Sequence, residues 1–495
     1  MHNLATAFLE SAHAHQAKPA VFWGEEEFTY RHFRDQSAWV ADRLLQAYPV
    51  APGARVAVWL NNCPEFISAV FGALRAGAVV VPINCFLKAE EVAYILDDAG
   101  ADVLITETAM HEAVARLEAG RPTLRILRKE DFAVGDGPPG QTPPVPRHPK
   151  DLAVLIYTSG TTGHPKGAML THANLLHNVN SCRRVLEVVD LDRFALLLPM
   201  FHSFMLTVCI LLPLLIGGCI VLVRSLHPPK NILIEILRHQ ATILAAIPQL
   251  FRTFAHAPVP PHLSLRICIS GAAPLPVDTL REFNARYPIP LIEGYGLSEA
   301  SPVVSLNPIH GLQKPGSIGL PIPDVEVSIR NEEGRELPRR EVGEVCVRGG
   351  NVMTGYWNNP GESAVALRAG WLYTGDIGYQ DEDGYTYITD RKKDMLLVNG
   401  INVYPREIEE VMYHFPGVKE AAVIGRPDPR KGEQPVAYVA MNDGVTVDVH
   451  ALQAYLKEHL ADYKVPRHVV QMPALPRNAT GKILKTALRQ LPLAG

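Results

Sequence analysis

The sequence predicts an α/β protein: a large N-terminal domain of two α/β layers plus a small β subdomain, then a smaller, mobile α+β domain. Three observations predict it. Between Val21 and Leu320, short β-rich runs alternate with amphipathic helical ones, as in RVAVWL, PEFISAVFGALRAG, AVVVPIN and ADVLITE, which is the texture of parallel α/β layers. After Gly319 apolar and polar residues alternate instead, in VEVSIRNEEGREL and GEVCVRG around an Asn-Glu-Glu-Gly turn, as antiparallel strands do. Past the charged run DRKKD, about a hundred residues carry strands (AAVIGRP, QPVAYVAM) and helices (PREIEEVMYHF, ALQAYLKEHL) of their own. The expected boundaries are residues 1–389, a hinge at 390–394 and a C-terminal domain at 395–495.

The elements follow in order. MHNLATAFLESAHAHQ lacks a basic start followed by an apolar run, so it reads as a first amphipathic helix and not as a secretory signal. Residues 134–150, rich in proline and glycine, read as an exposed connector between the two layers. Met205 to Val223 is 19 residues without a formal charge, long enough to span a bilayer. Pro213 and the Gly217-Gly218 pair break it, so a buried helix, a turn and a buried strand are expected. No transmembrane span is expected, and loose contact with a membrane surface stays open. No internal repeat is visible.

At 495 residues the chain has room for about three compact units of ~150 residues. A formal charge of −4 gives no basic field for a nucleic-acid partner. Seven cysteines, none close to another in sequence, fit neither a disulfide framework nor zinc-ligand spacing. A reducing cytoplasm is the natural compartment.

The strongest local signal is Tyr157 to Gly167, YTSGTTGHPKG, between an apolar strand and a helix expected to begin near Thr171. Small hydroxyl and glycine residues (Thr158, Ser159, Gly160, Thr161, Thr162, Gly163) let backbone amides and hydroxyls approach phosphate oxygens, and Lys166 adds positive charge. A Walker A loop needs GxxxxGK followed by Ser or Thr. Here Pro165 stands where it wants glycine and Gly167 where it wants the hydroxyl, so that reading fails.

YTSGTTGHPKG resembles the phosphate loop of the adenylate-forming superfamily: acyl-CoA synthetases, firefly-luciferase-type enzymes and peptide-synthetase adenylation domains. Further matches follow in the family's order: PMFHSF (199–204), SGAAPLP (270–276), EGYGLSE (293–299), YTGD (373–376), DRKKD (390–394), NGINVYPREIE (399–409) and PRNATGK (476–482). Together they cover the chain from residue 157 to its end, closest in pattern to bacterial medium- and long-chain fatty acid–CoA ligases.

In EGYGLSE (Glu293, Gly294, Tyr295, Gly296, Ser298, Glu299), Tyr295 offers an aromatic face for adenine and the glycines let the backbone come close. Glu299 suits a Mg²⁺ ion that neutralises the polyphosphate. The family more often has threonine where this chain has Ser298, and the hydroxyl is kept. The resemblance implies that Thr161 joins Glu299 around Mg²⁺, that Asp376 accepts from both ribose hydroxyls, that Arg391 contacts the ribose, and that Gly271 and Ala272 lie beside adenine and acyl group.

Lys482 matches the catalytic lysine. Attack of a carboxylate on the α-phosphorus brings two anions together, and a cation touching both lowers that barrier. The resemblance further implies rotation of the C-terminal domain about Lys393, which presents Gly400 to a pantetheine tunnel, and places His202 at the acyl-pocket entrance. A hinge between two packed states can assemble two sites in turn. The run from Phe204 to Val223, with only Thr and Cys as polar types, is expected to line an acyl pocket that rejects a second charge.

The expected activity uses a small-molecule carboxylic acid, ATP and coenzyme A, by way of an acyl-AMP, with a medium- or long-chain fatty acid as the acid. A fatty acyl-AMP ligase that loads an acyl carrier protein is the rival enzyme. A catalytically silent lipid or nucleotide binder is the rival from another class, and retention of Lys166, Glu299, Asp376, Arg391 and Lys482 speaks against it. A monomer and a homodimer are equally compatible with the sequence.

Overall fold

The computed structural model describes residues 3–132, 143–158, 165–226, 228, 230–260, 262–392, 394–398, 401–428, 432–477 and 482–492. Two layers form the N-terminal body. The first is a six-stranded sheet in the order Arg125–Arg128, Ala101–Thr106, Arg55–Val58, Val79–Pro82, Leu152–Thr158, Lys166–Thr171. It is parallel except for the last pair, an antiparallel hairpin.

The second sheet has nine strands. Its parallel centre runs Leu291–Gly296, Ile267–Ser270, Ile243–Ala246, Arg193–Leu196, Cys219–Leu222, Pro19–Trp23. Antiparallel strands close both edges, Val303–Leu306 and then Leu320–Pro321 beyond Leu291–Gly296, and Glu26–Thr29 beyond Pro19–Trp23. Strands covered on both faces read as near-continuous apolar runs, as ICIS (267–270) and ILAA (243–246) do. All eight of those residues are buried.

The proline-rich connector departs from expectation. It does not link the two layers, because Arg125–Arg128 before it and Leu152–Thr158 after it belong to the same sheet, with three strands between them. Residues 143–150 form a loop, as the Pro and Gly pattern marked, and periodicity alone carries no strand order. Residues 134–142 of this stretch lie outside the described residues.

Asn3 caps the helix Leu4–Ala14, its side chain accepting from Thr6 N–H at 3.0 Å. Thr171 caps His172–Val185 in the same way, with Asn174 returning the bond, so the expected start of that helix is met. The uncharged run forms the helical turns Met205–Leu211 and Leu212–Ile216, turns at Gly217 and continues as Cys219–Leu222. Among the described residues no helix is long and apolar enough to cross a membrane.

After the body come two smaller sheets. Val325–Arg330, Gly343–Gly349, Trp371–Gln380 and Thr386–Arg391 form the antiparallel β subdomain, as the alternation foretold. Beyond residue 394 a mixed sheet pairs Val418–Asp428 with Gly432–Met441 antiparallel and adds His468–Gln471 in parallel. It packs on the helices Pro405–Tyr413 and Val449–His459 over its own apolar core, which includes Ile408, Met412, Val423 and Leu452.

Candidate active site

Topology brings the motifs together because two neighbouring parallel strands run out towards one side and the β subdomain adds a ladder there. Leu291–Gly296 delivers Glu293 and Tyr295, Ile267–Ser270 runs out into Gly271 and Ala272, and Trp371–Gln380 pairs with Thr386–Arg391 so that Asp376 faces Arg391 across the ladder. Ligands of open α/β sheets sit at such carboxyl ends. A cavity of about 450 Å³ opens there, lined among others by Ala272, Tyr295, Asp376, Arg391 and Lys482. Lys482 therefore reaches the body of the protein from the C-terminal domain.

The geometry within this cavity is tightly paired. Asp376 is almost fully buried; one carboxylate oxygen accepts the Tyr295 hydroxyl, and the other lies 3.1 Å from Nε of Arg391. Burial and the Asp376 charge push the Tyr295 phenol well above its ordinary range, so it stays a neutral donor. Glu293 is buried as well, and its Oε1 accepts Leu275 N–H at 2.9 Å. Burial pushes its carboxyl up to about 7.

The glycines of EGYG line the cavity and serve packing as well. A Cβ on Gly296 would sit 2.2 Å from the carbonyl oxygen of Pro302, and one on Gly294 2.4 Å from Leu306 Cδ2. Ser298 is tied to the PMFHSF turn, its hydroxyl 3.0 Å from that of Ser203.

Thr158 and Lys166 face each other across the hairpin. Lys166 thus lies on a strand, and the helix follows only after Thr171. Ser159, Gly160, Thr161, Thr162 and Gly163 lie outside the described residues, as do Lys393 and Gly400. The Lys166 ammonium pairs with Glu362 and lies 5.4 Å from the centre of the Tyr356 ring. Tyr356 in turn donates to Oε1 of Glu299 at 2.8 Å, and Thr158 Oγ1 approaches the same oxygen at 3.5 Å. Carboxylate and hydroxyl oxygens are hard donors of the kind that hold magnesium through one or two protein groups plus substrate phosphates. Glu299 with its hydroxyl neighbours fits that ion.

His202 is half-buried, its Nδ1 accepting Phe204 N–H at 3.3 Å. Burial pushes the imidazole down to about 4, which leaves it neutral at pH 7. The acyl-pocket expectation for the run after it needs correction. Met205 to Leu212 are each 2% exposed or less and belong to the main core between the layers, and none of them borders the cavity. Within Phe204 to Leu212 only Phe204 is half-buried, its ring 3.2 Å from where a Gly271 Cβ would lie. An uncharged run satisfies a core as well as a pocket, and sequence cannot separate the two.

Past the expected hinge segment 390–394, the helix Pro405–Tyr413 has no side-chain cap from Tyr404. Asp390, the first residue of that segment, supplies the acceptor: Arg406 N–H donates to it at 2.9 Å and Arg391 N–H at 2.7 Å. Burial raises this carboxyl to about 6. Lys485 Nζ lies 2.8 Å from Oε1 of Glu409 nearby. Tyr356, Glu362, Arg406 and Lys485 were not singled out in the sequence. The conspicuous GYWNNPGES turn (355–363) was the one available signal for the first two.

Fold and site together define an adenylate-forming enzyme. The AMP-binding enzyme family profile matches residues 8–357 and that of the AMP-binding enzyme C-terminal domain residues 407–482. The chain belongs to this family. It is 39% identical over 478 residues to a feruloyl-CoA synthase of Amycolatopsis sp, covering 95% of each chain. It is 35% identical over 526 residues to a long-chain-fatty-acid–CoA ligase of Bacillus subtilis (strain 168), covering 98% of this chain and 94% of that one. Among solved structures, ATP-bound MatB from Rhodopseudomonas palustris superposes with a TM-score of 0.90 at 31% identity, covering 99% of both chains. Apo MatB gives 0.79 at 30% identity, covering 99% and 98%. The overall arrangement of this chain is thus nearer the ATP-bound form.

Proposed function

We propose that this protein is an ATP-dependent acid–thiol ligase that activates a carboxylic acid as acyl-AMP and passes the acyl group to coenzyme A. One observation carries the reading: Lys482 lines the same cavity as Tyr295, Asp376 and Arg391. The acid's carboxylate oxygen attacks the α-phosphorus, the bond to the bridging oxygen breaks, and pyrophosphate leaves. Lys482 holds the two approaching anions together. Asp376 and Arg391 hold the ribose, and Tyr295 lies along the adenine. Thr158, Lys166 and the loop 159–164 hold the phosphates. Mg²⁺, bound by Glu299 and Thr161, would neutralise charge on the polyphosphate. In the second step the thiol of coenzyme A attacks the acyl carbonyl carbon and AMP leaves, after rotation about Lys393 brings Gly400 to the thiol path.

For the acid we propose an uncharged tail, with a medium- or long-chain fatty acid as the first reading. The likeness to long-chain-fatty-acid–CoA ligases over nearly the whole chain supports it. A second reading, an aromatic acid, is favoured by the feruloyl-CoA synthase likeness and by the seat of Phe204 against Gly271. The test is pyrophosphate release with and without coenzyme A, for acids of two to eighteen carbons, malonate and ferulate. Efficiency that climbs with chain length at ~0.8 kcal/mol per buried methylene supports the fatty acid. A maximum at ferulate selects the aromatic reading, and one at acetate or malonate overturns both. Release that proceeds while free coenzyme A is never acylated points to a carrier-protein acceptor.

A further inference from the structure

Three chain segments converge on Tyr356. Its backbone runs beside the phosphate-loop hairpin: Met169 N–H donates to Gly355 O at 2.9 Å, and Trp357 N–H to Gly167 O at 2.8 Å. Tyr356 N–H itself donates to Ser363 Oγ at 2.8 Å, on the helix Pro360–Ala366 that also carries Glu362. Asn359 caps that helix through Glu362 N–H at 3.1 Å. The side chain is thereby fixed at both ends. Its ring carries Lys166 on one face, and its hydroxyl reaches Glu299.

From this we infer that Tyr356 is the positioning residue that aligns Glu299 and Lys166, the proposed magnesium and phosphate ligands, as one unit. The inference rests on the function proposed above. Tyr356 and Thr158 both meet the Glu299 carboxylate at Oε1, which restrains its rotation. A hydrogen bond to a charged group fixes its orientation more firmly than a neutral one does. The ring meanwhile restrains a flexible lysine stem that would otherwise lose rotamer freedom on binding phosphate. Tyr356 touches neither reacting atoms nor substrate in this scheme.

Tyr356→Phe keeps the ring under Lys166 and removes only the bond to Glu299; Tyr356→Leu removes both. The probe is a non-hydrolysable ATP analogue, titrated calorimetrically into the full-length protein in Mg²⁺ and in EDTA. The phenylalanine variant is expected to bind the analogue about tenfold more weakly in Mg²⁺ and equally well in EDTA. The leucine variant is expected to weaken in both. Thioester formation from supplied acyl-adenylate, which needs neither group, should be unchanged in both variants, and this control separates positioning from damaged folding. An unchanged Mg²⁺ titration in Tyr356→Phe, or an equal loss in the thioester step, overturns the inference and leaves the proposed function standing. Absence of any Mg²⁺-dependent binding by the parent protein overturns both.

Discussion

Asp376 and Arg391 meet across one antiparallel ladder, Oδ1 to Nε at 3.1 Å, with the Tyr295 hydroxyl on the second carboxylate oxygen. The carboxylate is thus pre-oriented by two groups before any nucleotide arrives, and a preset acceptor loses little entropy on binding. Asp376→Ala should raise KM for ATP ~10- to 100-fold, the worth of one or two hydrogen bonds to a charged group. KM for the acid should stay within about twofold, since only the proposed ribose contacts would be lost. Steady-state kinetics with each substrate varied in turn checks this. Equal rises in both constants would show that Asp376 supports the fold instead.

Glu293 gives a pH signature with a definite sign. Its carboxyl is raised from 4.5 to about 7 by burial, so the folded state holds the proton more tightly than the unfolded chain does. Stability from this group is therefore greatest below pH 4.5 and falls as pH rises to 7, by at most ~1.4 kcal/mol per pH unit. Glu293→Gln keeps an oxygen for Leu275 N–H and carries no charge. Its melting temperature, compared with the parent from pH 4.5 to 8, should gain on the parent up to pH 7 and then hold a constant lead. A gap that is constant across the range would contradict the assignment.

Core and pocket separate by mutation at adjacent positions. Leu206→Ala, at a fully buried site, should cost ~2–5 kcal/mol of stability, the usual range for such a cavity, and leave the ranking of acids unchanged. Phe204→Ala should cost less and shift the preferred acid towards bulkier tails, because the ring beside Gly271 would be gone. Thermal melts and the acid panel together decide it.

A side chain in the proposed thiol path should split the half-reactions. Gly400→Leu is expected to release pyrophosphate normally in a single turnover and to lose at least tenfold in thioester formation. Normal turnover with coenzyme A would remove Gly400 from the path.

Much of this was legible in sequence because local patterning and the motif spacings carry it. Strand alternation after Gly319, the cap at Thr171 and the order from YTSGTTGHPKG to PRNATGK all depend on neighbours in the chain. What stayed hidden depends on tertiary contacts. Tyr356 and Glu362 gain meaning only when residues 355–363 dock beside Lys166 to Met169, nearly two hundred positions earlier in the chain. Likewise Asp390 reads as part of a charged turn until it caps a helix beyond the hinge. The run from Met205 to Leu212 was misplaced because apolar side chains suit a core and a pocket alike.

The most direct test is acid-dependent exchange of labelled pyrophosphate into ATP without coenzyme A, in the parent and in Lys482→Ala, beside thioester formation from supplied acyl-adenylate. Lys482 lines the proposed nucleotide cavity from the C-terminal domain, so the substitution should abolish exchange, by ~100-fold or more for a lost transition-state charge contact. Thioester formation should stay within a few-fold of the parent. Exchange that persists in Lys482→Ala, or equal loss in the two half-reactions, would contradict the two-step scheme built on this residue.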